Sequence, residues 1–133
     1  MSDIIKFNLK KLEKLNTPFS NYILGRSYDL EENGATIEQN EMVYATFVEA
    51  AYYNYGIGGV EQNFEKAREI LEKCAKLGHI AAYYDLGYKF YREGVGGAAD
   101  IEKSELFLRI AKNAGLKRAI DKYKEFGYSE IER

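Results

Sequence analysis

At 133 residues the chain has room for one domain with a modest core and is too short for two. Nineteen basic residues stand against 21 acidic ones, a formal net charge of -2 that excludes a general polyanion-binding surface, so neither nucleic acid nor a membrane surface is an expected partner. The one cysteine, Cys74, excludes an internal disulfide, and no run of secretory or membrane-spanning length occurs near the start, so the expected setting is cytoplasmic.

A single proline and 12 tyrosines point to long helices carrying polar-tipped aromatics. In "DIIKFNLKKLEKL" Ile5, Leu9, Leu12 and Leu15 share one face, and Lys6, Lys10, Glu13 and Lys14 lie elsewhere. That amphipathic, lysine-rich pattern reads as a first capping helix, with a membrane-surface anchor as the alternative, and it is ended by Asn16-Thr17-Pro18. A second helix spans about Phe19 to Glu32 and stops at Asn33-Gly34; a third runs from about Glu41 to Tyr55. After the glycine loop "GIGGVEQN", helices follow near 64–77, 80–93, 101–113 and 117–126, about seven in all. No window alternates in strand fashion.

Two stretches are copies of one another. In "VEAAYYNYGIGGVEQNFEKAREILEKCAKLG" and "LGYKFYREGVGGAADIEKSELFLRIAKNAG", Tyr52-Tyr53 meets Phe90-Tyr91, Gly56 meets Gly94 and Gly58-Gly59 meets Gly96-Gly97, at a shift of 38. Beyond the loop the shift is 37: Glu65-Lys66 meets Glu102-Lys103, Ala67 meets Ser104, and Gly78 meets Gly115. A helix–loop–helix unit repeated at this period cannot bury its apolar face alone and stacks on its neighbours, which predicts an all-α solenoid of antiparallel helix pairs. Small residues (Ala82, Gly87, Ala111, Ala114) let helices approach, and Leu86, Phe90, Leu106, Phe107 and Ile110 fill the gaps. Asn63 and Asp100 read as N-caps, Gly78 and Gly115 as left-handed C-caps.

The run from Ala82 through Leu86-Gly87, Phe90-Tyr91, Gly94, Gly96, Asp100, Lys103 and Ala111 to Gly115 resembles the Sel-one-like repeat, a relative of the tetratricopeptide repeat. The preceding unit matches with Tyr52, Tyr53, Gly56, Gly58, Lys66, Ala67, Cys74, Ala75 and Gly78. Departures are specific: Val48-Glu49 stands for Leu-Gly, Ser104 for an alanine, Lys112 for a second alanine, and the segment before each loop is one residue longer than usual. The expected organisation is a single domain, with capping helices over 1–41, repeats over 42–126 and a polar tail over 127–133. The resemblance implies a non-catalytic protein-interaction module or adaptor; in a chain this small it is expected to act as a tether or as an inhibitor of its partner, and to be a monomer or, through the exposed end of the stack, a weak homodimer.

The chemical alternatives are thin. A phosphate-cradling loop needs a strand before it and Gly-Lys-Ser/Thr opening its helix, whereas a helix precedes Gly94 and Glu102 precedes Lys103. The lone histidine, His79, reads as a solvated turn residue; Cys74, in "EKCAK", reads as a buried inert thiol. No catalytic residue, metal or cofactor is expected. In the helix near 80–93, Ala82, Leu86 and Phe90 take the core face, and Tyr84, Tyr88 and Tyr91 form a second stripe flanked by Asp85, Lys89 and Arg92, with Tyr53 at the equivalent place one unit earlier. These tyrosines either pack on a neighbouring helix and wet only their hydroxyls, or line a groove for a protein partner; the second reading makes these seven residues the candidate partner-binding set. The alternative from another class is a small-ligand-binding protein or enzyme using the same aromatic cleft.

Overall fold

The computed structural model describes residues 37–128, together with residues 14, 16, 17 and 20. The two helices expected ahead of residue 37, and the last residues of the polar tail, lie outside the described residues. Five helices are described: α1 (Ile37–Tyr55), α2 (Phe64–Lys76), α3, α4 (Ile101–Asn113) and α5 (Lys117–Glu125). The third is composite, with α-helical Ile80–Asp85, a π-helical turn at Leu86–Phe90 and α-helical Tyr91–Glu93. No strand occurs among them, and each helix packs on the next along the chain, as a helical solenoid requires.

The repeat is visible in its hydrogen bonds. Asn63 and Asp100 each accept the amide of the residue three places on (Lys66 and Lys103) at 3.0 Å, which satisfies one orphan donor at the start of α2 and of α4. The backbone of the same two caps reaches back across the loop. Asn63 N donates to the Tyr53 carbonyl at 2.8 Å, and Asp100 N to the Tyr91 carbonyl at 2.7 Å. Each glycine loop is therefore clasped to the helix it leaves, and the longer first loop closes on the same bond as the second.

The helix ends repeat as well. Gly78 (φ 89°) and Gly115 (φ 92°) are left-handed and donate to Ala75 and Lys112 carbonyls at 2.9 Å, while the next residues, His79 and Leu116, reach further back to Cys74 and Ala111. This double bond pattern places the residue after the glycine against the helix it has just left. His79 is accordingly 1% exposed, edge-on to Phe47 with ring centroids 4.9 Å apart. It is a core residue and not the solvated turn residue that its position near a glycine suggested. Leu116 occupies the same slot one unit later and is 6% exposed.

Two apolar clusters form the core. Phe47, Ala50, Leu71, Cys74, Leu86 and Phe90 anchor one between α1, α2 and α3. Tyr84, Leu108, Ala111, Leu116, Ala119 and Tyr123 anchor the other among α3, α4 and α5. Gly87 lets α3 and α4 approach closely: a methyl group there would stand 2.8 Å from the Leu108 amide nitrogen. Leu106, expected to fill a gap, is instead 39% exposed.

Candidate partner-binding face

At 100° per residue an ordinary helix carries Tyr84, Tyr88 and Tyr91 on one face. The turn from Leu86 to Phe90 breaks that register. Tyr91 N donates to the Leu86 carbonyl, five residues back, so the turn holds one residue more than an α-helical one and everything after it is rotated by about 100°. Tyr84 and Tyr88 remain together, with rings stacked at 4.7 Å between centroids. Arg92, and not Tyr91, continues their stripe.

Tyr91 turns toward α2 and α4. Its hydroxyl donates to Glu72 Oε2 at 2.6 Å, its ring lies 4.7 Å under the Arg68 guanidinium, and Phe107 meets it edge-on at 5.0 Å. Burial, then the hydrogen bond to Glu72 and its charge, push the Tyr91 phenol well above its ordinary range, with Arg68 opposing. Arg68 also donates to the carbonyls of Val95 (3.3 Å) and Ala98 (3.0 Å), so it pins the second glycine loop to the preceding repeat.

A second stripe faces the first. On α5 and its C-cap, Arg118, Lys122 and Phe126 recur every four residues, which aligns them along one side of the helix. The Arg118 guanidinium lies 5.9 Å from the Tyr84 ring, and the Arg92 guanidinium 3.8 Å from the Phe126 ring. The first contact joins the N-terminal halves of α3 and α5, the second their C-terminal ends, so the helices run side by side in one direction. Lys122 stands between, 5.8 Å from the Phe126 ring and paired with Glu125 at 3.1 Å. Tyr88, Arg92, Arg118, Lys122 and Phe126 are all half-buried.

The seven residues expected to contact a partner are thus divided. Tyr84, Asp85 and Tyr91 are 5%, 2% and 1% exposed, so the single tyrosine surface expected from the sequence is not formed. The cause is the π turn together with Gly87 and Ala82, which let neighbouring helices cover both flanks of α3. Tyr88, Lys89 and Arg92 are half-buried and lie along α3; Lys89 Nζ stands 5.9 Å from the Phe90 ring. Tyr53 is half-buried on α1 and packs on the first core cluster, the one that also contains Tyr91. Arg118, Lys122 and Phe126 were missed. Their spacing of four was present in "RAIDKYKEF", but nothing local to α5 tells which helix that stripe faces.

On its α2–α4 side, α3 floors a recess of about 390 Å³ edged by Glu72, Lys73, Lys76, Tyr83, Lys103 and Phe107. Among the described residues no group of histidine, cysteine and carboxylate side chains is arranged to hold a metal ion. The Cys74 thiol is fully buried and pushed up to about 12, by burial first and then by the charges of Glu49 and Asp85, which leaves no thiolate for nucleophilic work near neutral pH. No described helix is long and apolar enough to cross a membrane.

Compared with known proteins, the chain matches the family model of the Sel1 repeat twice, at residues 49–79 and 80–116. No curated protein and no solved structure matches it.

Proposed function

Because the chain belongs to the Sel1 repeat family, whose members are generally protein-interaction modules, we propose that it is a non-catalytic adaptor whose partner docks on the face shared by α3 and α5. One observation carries the choice of face: two parallel stripes, Tyr84-Tyr88-Arg92 and Arg118-Lys122-Phe126, are locked to each other at both ends by guanidinium–ring contacts. Aromatic and arginine side chains held rigid on helices lose little entropy on binding, and they are the types that dominate interface energetics. Tyr88, Lys89, Arg92, Arg118, Lys122 and Phe126 meet the partner, and Tyr84 supports them from beneath. By seating a partner there the chain tethers it or blocks it, as a monomer in a reducing cytoplasm. Lys124, at the place where Gly87 stands one repeat earlier, favours the monomer because it keeps a further helix from close approach.

The test is affinity capture from the native host, followed by the same capture with Tyr88→Ala/Phe126→Ala. The captured protein is expected to be lost while far-UV helicity is unchanged; retention of the partner by a folded double variant refutes the face. A second reading rests on the recess at Glu72, Tyr83 and Phe107, whose volume suits a small ligand. A saturable shift in melting temperature with a metabolite, abolished by Phe107→Ala, would establish that reading instead.

A further inference from the structure

Resting on the second reading, that the recess on the α2–α4 side of α3 holds a small ligand, we infer that this ligand is an aromatic acid, an anion carried on a planar apolar body. The floor of the recess is aromatic. Tyr83 and Phe107 meet there with ring centroids 5.1 Å apart, and both are half-buried, so part of each ring is open to an occupant. The rim is cationic. Lys73 and Lys76 from α2 and Lys103 from α4 are exposed and edge the recess on its two walls. At about 390 Å³ it lies at the small end of ligand sites, the size for one or two rings with a head group.

The lysines are open to an incoming anion. Among the described residues none of the three is ion-paired, and Lys103 Nζ stands 5.5 Å from the Tyr91 ring. The carboxylates at hand are engaged or loosely held. Glu72 accepts from the Tyr91 hydroxyl at 2.6 Å, Asp100 accepts the Lys103 amide as the cap of α4, and the exposed Glu69 lies one turn from Lys73. An exposed pair at that spacing shifts an equilibrium only about twofold, so it competes weakly with a ligand gripped at both ends. Arg68, bonded to the neutral carbonyls of Val95 and Ala98, adds its charge beside the Tyr91 ring. The fold does not require this combination. One repeat later Glu69, Lys73 and Lys76 are replaced by Leu106, Ile110 and Asn113, and one repeat earlier Tyr83 and Phe107 are replaced by Ala45 and Ile70. A bare anion would leave the rings wet and a neutral aromatic would leave the lysines unused, whereas an aromatic acid engages both.

The experiment uses the full-length protein and naphthalene probes of one shape: 2-naphthoate, 2-naphthyl phosphate, the neutral 2-naphthamide and the cationic 2-naphthylmethylammonium. The chain has no tryptophan, so naphthalene emission is read against tyrosine alone. Fluorescence titration should show saturable binding of one or both acids, with the amide and the ammonium at least about tenfold weaker. The better acid identifies the head group. Acetate, which lacks the ring body, should not displace it, and raising salt from about 0.05 M to about 0.5 M should weaken it. Lys73→Glu/Lys76→Glu should lower acid affinity by about tenfold or more, and Lys73→Gln/Lys76→Gln, gentler on folding, by about fivefold. Lys117→Glu/Lys124→Glu makes the same change in net charge away from the recess and should cost less than about threefold. Phe107→Leu, which keeps an apolar side chain in place, should cost about tenfold. Equal losses in the two charge-reversed variants, or acid binding indifferent to Phe107→Leu, overturn the inference. Binding of the amide or the ammonium as tightly as the acids, and lost in Phe107→Leu, leaves the recess a ligand site and overturns only the acid. No binding by any probe overturns the small-ligand reading with it. The recess variants leave the α3–α5 face intact, so capture of a host protein on that face stands or falls separately.

Discussion

The Ser104 hydroxyl donates to the Gly87 carbonyl at 2.6 Å. In an α-helix that carbonyl would accept from Tyr91 N, which the π turn diverts to Leu86. The π turn and one departure from the repeat pattern are therefore linked: the turn redirects a backbone donor, and a serine in place of alanine fills the vacancy. The first repeat has no π turn, and there the equivalent residue is Ala67, fully buried. Since the serine proton is used on Gly87, the Tyr128 hydroxyl, 2.8 Å away, donates to Ser104, and Arg92 donates in turn to Tyr128 at 2.8 Å. The chain of donors runs from the candidate binding face into the π turn.

Ser104→Ala, although it restores the family's residue, is expected to destabilise the protein by about 1–3 kcal/mol, because it strands two buried partners. Tyr128→Phe should cost about 1 kcal/mol, and the double variant less than the sum of the two. Urea denaturation of the four proteins measures the coupling; strict additivity would mean that the hydroxyls act independently.

Gly87 gives a second expectation. A methyl group there meets the backbone of Leu108 at 2.8 Å, and backbone cannot swing aside as a side chain does. Gly87→Ala should thus part α3 from α4 and cost about 2–4 kcal/mol. Gly115 is left-handed (φ 92°) with no atom within 4 Å of an added methyl, so Gly115→Ala incurs only backbone strain, about 1 kcal/mol. Melting temperatures in the reverse order would show that α3 and α4 are not packed at Gly87.

What was legible beforehand depended on whether the information was local. The caps at Asn63 and Asp100, the C-cap glycines and the limits of α2 through α5 follow from side chains acting within a few residues, and those were readable. The repeat alignment also places His79 opposite Leu116, which marks a core slot whatever the chemistry of the imidazole. The phase of Tyr91 was not readable. A period of 3.6 shows that a helix has an extra residue only after one knows where the register slips, and that is decided by Gly87 and Ser104 across an interface. The pairing of Arg118 with Tyr84 was hidden for the same reason, since it depends on which stripes two helices turn to each other.

Glu105 is 1% exposed, and its Oε2 accepts from Tyr123 OH at 2.6 Å and from Arg109 Nε at 2.9 Å. One repeat earlier the same two helix positions hold Arg68 and Glu72, so the order of charges along the helix is inverted between repeats. Truncation by Glu105→Ala removes a buried acceptor from two donors and should cost about 3–5 kcal/mol. Glu105→Gln keeps one acceptor oxygen and should cost roughly half as much. If Gln is as damaging as Ala in thermal melts, the negative charge itself is what α4 and α5 need.

Alkaline pH provides the last test. The buried Cys74 thiol is pushed up to about 12, and Tyr91 lies well above its ordinary value, because the fold disfavours both anions. Raised folded pKa values give stability that is fully present below the unfolded values, about 8.5 for Cys and 10 for Tyr, and is lost as pH rises from there toward the folded values. The urea midpoint should hold steady to about pH 8.5 and then fall, first through Cys74 and from about pH 10 also through Tyr91. Differences in slope between the wild type and each variant isolate the two groups. Cys74→Ala should flatten the curve between about pH 8.5 and 10, and Tyr91→Phe above about pH 10, even though both start from lower stability at neutral pH. In parallel, iodoacetamide should label Cys74 at pH 8 at least about 100-fold more slowly in the native protein than in urea, since the thiolate is the reacting form. A native rate close to that of the unfolded chain, with no change of slope in Cys74→Ala, would place the thiol outside the core between α1, α2 and α3.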